Sequence, residues 1–150
     1  MRTFLVVTDE TEEARAALRF AARRAASVGG AVHILALVPQ QSFSAFGSVQ
    51  ATIEQEARDR AEVLANGVAG NLFAESGIMP TISVAIGKGS KIVTDFLDEH
   101  TEVGALVLGA AKGSNPGPLV LHFSANAGSL ACPLYVIPHD YDENDSDHEV

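Results

Sequence analysis

Phe4-Leu5-Val6-Val7-Thr8-Asp9 is the stretch on which the fold turns. Four consecutive apolar residues, two of them β-branched, make a strand that is apolar on both faces, which belongs in a sheet covered on both sides. Asp9 stops it. The period then changes, because Ala14, Ala17, Leu18, Ala21, Ala25 and Val28 recur every three or four residues on one helical face, and Gly29-Gly30 ends the helix.

The alternation continues outward along the chain. Val32 to Val38 reads as a second strand closed by Pro39, Gln40 to Gly47 as a loop, and Ile53, Ala57, Ala61, Leu64, Val68 and Leu72 as the apolar face of a long amphipathic helix. Gly77 and Pro80 precede a third strand, Thr81 to Ile86. A helix from Ser90 to about His100 buries Ile92, Val93, Phe96 and Leu97. Ala105-Leu106-Val107-Leu108 is a fourth strand running into the small-residue loop Gly109 to Pro118. A less regular helix covers Leu119 to about Ala131, and Leu134-Tyr135-Val136-Ile137 is the last strand. There is no internal repeat or linker. The pattern predicts an α/β fold, a single doubly wound five-stranded parallel sheet with helices on both faces. Ligands of such sheets sit beyond the carboxyl ends of the strands, where the winding reverses, so the β→α loops are where chemistry is expected.

A chain of 150 residues, 47% hydrophobic and 19% charged, is an ordinary globular domain in length and composition, which sets disorder, collagen and coiled coil aside. The net charge of −9 is concentrated: six acidic residues lie in the last eleven, without a Lys or Arg among them, leaving −3 for the rest. Residues 139 to 150 are therefore expected to form an acidic, disordered tail on a domain spanning 1 to 138. The acidity also predicts no nucleic-acid partner and no membrane partner, since both need a basic face. Cys132 is the single cysteine, which excludes an internal disulfide and suits a reducing cytoplasm. The apolar run at the start is too short for a signal sequence, and the longest near-apolar run, Val103 to Ala111, is nine residues against the roughly 20 that span a bilayer.

In the first loop, Asp9 is placed either to accept hydrogen bonds from a ribose or base, or to cap the following helix with Glu12 completing a capping box. A phosphoacceptor site would need a second Asp near the end of the third strand, but that loop is Gly87-Lys88-Gly89-Ser90. It matches neither a P-loop nor a dinucleotide glycine pattern, because Lys88 precedes Gly89 and position 92 is Ile. The fourth loop, with Gly109, Lys112, Gly113 and Ser114, is built either to cradle an anion with backbone amides or simply to connect. All three lysines, Lys88, Lys91 and Lys112, fall in or beside these two loops. His33 and His100 read as structural, no pair of histidines has metal-ligand spacing, no Gly-x-Ser-x-Gly elbow occurs, and Cys132 reads as a buried small residue.

Together, Leu5-Val6-Val7-Thr8-Asp9, the helix Ala14 to Ala26, His33 to Pro39, Lys91-Ile92-Val93, Ala105 to Gly109 and Ala131 to Ile137 resemble the universal stress protein family over residues 3 to 138. The resemblance implies an adenine nucleotide alpha hydrolase-like fold with sheet order 3-2-1-4-5, placing the Asp9 loop beside the Gly109 loop. Nucleotide-binding members carry Gly, two residues, Gly, nine residues, then Gly-Ser/Thr. By the resemblance Asp9 matches the adenine-contacting Asp, Leu37 an apolar second-strand position, and Gly109 the first glycine, while Gly113 matches the second with one extra residue between them. The Gly-Ser/Thr pair is absent where the last helix begins, in Leu119-Val120-Leu121-His122-Phe123-Ser124. Gly128-Ser129 lies too close to Cys132 to replace it, and the frequent Gly-x-Pro of the third loop is missing.

Three functions follow as expectations. The first is a cytoplasmic stress-response protein without catalysis, its nucleotide loop degraded, dimeric through Leu134, Tyr135, Val136 and Ile137 at the sheet edge. In the second, ATP or AMP, or another small anion, is held by Asp9, Leu37, Gly109, Lys112, Gly113 and Ser114. The third is a hydrolase using Asp9 and Ser114, which requires His33 or His122 within reach as a base.

Overall fold

The computed structural model describes residues 2–8, 11–39 and 47–142. The elements in chain order are β1 (Thr3–Thr8), α1 (Glu12–Val28), β2 (Ala31–Val38), α2 (Gly47–Ser76), β3 (Thr81–Ile86), α3 (Gly89–Glu99), β4 (Val103–Ala110), α4 (Pro118–Ala125), a short 3-10 turn (Ala127–Ser129) and β5 (Leu134–Pro138). The strands form one sheet of order β3-β2-β1-β4-β5, and every pairing is parallel. This is the expected doubly wound arrangement.

β1 lies at the centre, with Leu5 opposite His33 on one side and Leu106 on the other. Successive side chains of a strand point to opposite faces, so each of its four apolar residues has a core to enter. Phe4 and Val6 join Ile34 and Val107 beneath α1 and the C-terminal half of α2. Leu5 and Val7 join Leu35, Leu106 and Leu108 beneath Val93 and Leu97 of α3 and Val120 and Phe123 of α4.

α1 buries six alanines with Leu18 and Phe20, and those small side chains let its backbone settle close to the sheet. Its last turn closes on Gly29, which has the left-handed φ of 67°. Its start differs from expectation. Thr11 is the N-cap, its hydroxyl accepting from the Ala14 N–H at 3.3 Å, so the helix begins at Glu12 and Asp9 is not the cap.

Four further expectations are corrected. α2 begins at Gly47, which ends the expected loop early, while residues 40–46 lie outside the described residues. Its buried stripe is Ala65, Ala69 and Leu72, and Leu64 is 44% exposed, because this helix covers only the β2–β3 side of the sheet. α4 stops at Ala125 because Asn126 turns back on it, both its N–H and its side-chain amide donating to the His122 carbonyl. Cys132 is only half-buried.

The chain stays on the domain briefly after β5. Tyr141 packs against Phe20, ring centroids 6.0 Å apart, in a cluster with Tyr135. The two edges of the sheet are unlike. At β3, Arg58 of α2 donates from Nη1 to the Val84 carbonyl at 3.2 Å. At β5, Val136 is 40% exposed.

Candidate functional site

The winding reverses between β1 and β4, the neighbours at the middle of the sheet. Beyond their carboxyl ends lies a cleft of about 330 Å³. Its floor is the strand ends, Val7, Leu37 and Leu108, and its far wall is Leu119 and Val120 of α4. The near rim carries Thr8, Thr11 and Glu13, and the fourth loop closes it with Gly109, Ala111 and Pro116 to Pro118.

Each wall follows from local sequence. Gly109 has no side chain because α1 crosses the end of β4 there, and a Cβ would collide with the Glu13 carbonyl. The close approach allowed by the alanines of α1 thus fixes a glycine on another strand. Leu37 and Leu119 converge over the third loop, where a Cβ on Gly89 would stand 3.1 Å from Leu37 Cδ1 and 3.2 Å from Leu119 Cδ2. Both leucines also line the cleft, and Lys88 does not.

The start of α4 has few amides to offer. The Gly117 N–H donates to Asn115 Oδ1 at 3.1 Å, and Pro118 at the first helical position has no N–H. The Ala111 N–H is held by the Pro116 carbonyl at 3.0 Å. Only Leu119 and Val120 remain as first-turn donors, and Leu121 already bonds the Gly117 carbonyl at 3.1 Å. Glu13 is the one charged side chain in the lining among the described residues.

Of the residues singled out in sequence, the cleft brings together Leu37 and Gly109. Lys112, Gly113 and Ser114 are exposed in the loop and are not part of the lining. Asp9 lies outside the described residues. Lys91 pairs with Asp95 at 2.7 Å on the surface of α3. Sequence reasoning missed Glu13, Thr11 and the run Pro116 to Val120. For the last, Pro118 directly ahead of an apolar stretch was an available signal of a helix start.

His33 is committed elsewhere. Its ring nitrogens bond the hydroxyls of Thr81 and, at 2.8 Å, Ser83 on β3, and its ring stacks on Phe96, which stacks in turn on His100 at 3.9 Å. Thr81 opens β3, so this cluster sits toward the amino end of the sheet, opposite the cleft. Burial, and then the neighbouring His100, hold the His33 pKa below the usual histidine value, with Glu102 opposing. His122 meets Phe123 edge-on at 4.8 Å. Burial pushes the Cys132 thiol up, away from a reactive thiolate. Among the described residues, no cluster of three His, Cys, Asp or Glu side chains could hold a metal, and no helix is long and apolar enough to cross a membrane.

The family model described as the universal stress protein family matches residues 1–138. Solved structures share the fold. The universal stress protein UspA from Lactobacillus plantarum superposes with a TM-score of 0.76 at 18% identity, covering 91% of this chain and 97% of its own. A universal stress protein family member from Burkholderia pseudomallei gives 0.71 at 14%, covering 91% and 95%. A family protein from Arabidopsis thaliana, solved with AMP bound, gives 0.60 at 16%, covering 98% and 97%. No curated protein matches in sequence.

Proposed function

The chain belongs to the universal stress protein family, and from that premise we propose a stress-response protein of the reducing cytoplasm that is non-catalytic, works as a homodimer, and does not hold a nucleotide through its phosphates. The observation carrying the ligand part is the start of α4. With the Gly117 N–H engaged by Asn115, no N–H on Pro118 and Glu13 the only charged residue in the lining among the described residues, the cleft offers an anion little. Against catalysis stands the commitment of His33 to Thr81 and Ser83, which leaves Ser114 without that base.

The dimer reading rests on the difference between the sheet edges. Arg58 occupies a carbonyl of the β3 edge strand, whereas β5, with Leu134 to Ile137, is the other edge strand and exposes Val136 to a second copy. Sedimentation velocity at micromolar concentration should give a dimer, and Val136→Lys should give a folded monomer. A wild-type monomer would refute it.

A second reading has one observation behind it, the AMP in the Arabidopsis relative. In that reading adenine sits at Asp9 and Leu37, with phosphates at Gly109 to Ser114. Isothermal titration of the full chain with ATP, AMP and a cyclic dinucleotide separates the two. Absence of heat at millimolar ligand supports the first, and binding that Asp9→Ala abolishes establishes the second.

A further inference from the structure

We propose that the cleft between β1 and β4 is a binding site for an uncharged, largely apolar small molecule of about two fused or linked rings. This rests on the reading that phosphate is not held there, and extends it to what the cleft accepts instead. The cleft volume of about 330 Å³ lies at the lower end of the roughly 300–1,000 Å³ common for small-molecule sites. Its floor and far wall, Val7, Leu37, Leu108, Leu119 and Val120, present hydrocarbon. A ring placed on them displaces water from apolar surface that the fold has already organised.

Charge decides the class. Glu13 is the only charged residue lining the cleft among the described residues, so an anionic ligand meets no cationic side chain there. Lys88 and Lys112 are both outside the lining. Among the described residues, the lining residues with polar side chains are Thr8, Thr11 and Glu13, at the end of β1 and the start of α1. A ligand with one hydrogen-bond donor on an otherwise apolar body matches that arrangement, the donor facing the rim of Thr8, Thr11 and Glu13.

N-phenyl-1-naphthylamine has two aromatic groups, one N–H and no charge, and its fluorescence rises on transfer from water to apolar surroundings. Titrated into the full chain at neutral pH, it should bind saturably at one site per chain, and millimolar AMP should not displace it. Leu119→Glu and, independently, Ala111→Glu introduce a carboxylate at the cleft and should weaken binding by about tenfold or more. Leu121→Glu, on the same helix but 53% exposed and outside the lining, should leave it unchanged. Either cleft variant, once its helical circular dichroism matches the parent, is sufficient for the comparison. No saturable binding, or equal binding by the cleft variants and Leu121→Glu, overturns the proposal. If AMP shows no heat either, the phosphate-free reading stands and only this extension fails, whereas displacement of the probe by AMP overturns both.

Discussion

The carbonyl of Glu13 stands where a side chain on Gly109 would have to begin. These residues lie on α1 and β4, far apart in sequence, and the α1 backbone meets the strand backbone there. The glycine that resembles the first member of a nucleotide loop has a sufficient structural reason to be glycine.

Gly109→Ala should therefore destabilise the protein in the absence of any ligand. Overpacking at a site closed by backbone costs roughly 1–3 kcal/mol. A drop of that size in the urea-unfolding free energy checks it, and wild-type stability would show that α1 can retreat freely.

Thr11→Ala should cost about 1 kcal/mol, the usual value of an N-cap hydroxyl, and Thr11→Asp should retain most of the stability. Urea midpoints measured with unchanged slopes test this. The same measurement on Asp9→Ala should show no cap-sized loss, because the cap is Thr11.

On α2, Leu72→Ala should cost about 2–5 kcal/mol, since Leu72 is only 4% exposed. Leu64→Ala, from the same periodic pattern, should change stability by less than about 0.5 kcal/mol. Thermal unfolding of the two variants side by side would expose a wrong assignment of the helix face.

His33 sets a pH dependence. Its folded pKa lies below the unfolded value of 6.5, so the folded state resists protonation. Its contribution is intact above pH 6.5 and declines as the pH falls from there through the lower folded value. Urea midpoints should drop between pH 7.5 and 5.5, and His33→Gln should flatten that interval. An unchanged slope in the variant would point to another group.

Much of the fold could be read directly from the chain. β1 is apolar at every position because both faces are covered, and a sequence shows that without knowledge of its neighbours. The order of the strands came from the family resemblance, since spacing alone does not say which strands pair. The cap was misplaced because Asp9 and Thr11 are both capping residue types two positions apart, and only geometry chooses between them. Leu64 misled because the buried stripe runs through Ala65, Ala69 and Leu72, so Leu64, one residue before Ala65, points about 100° away from it. At the site, Leu37 and Gly109 were legible from position at strand ends. Glu13 was not, because its relation to the cleft depends on how closely an alanine-rich helix approaches a strand distant in sequence.

The guanidinium of Arg58 on the Val84 carbonyl has a consequence for how large an assembly this sheet can build. A protein with two bare sheet edges can be added to at both ends, and each addition exposes a fresh edge for the next. In the proposed dimer, copies joined through β5 use that edge of each, and the Arg58 contact at the β3 edge opposes further addition, which favours a closed pair over a propagating fibre.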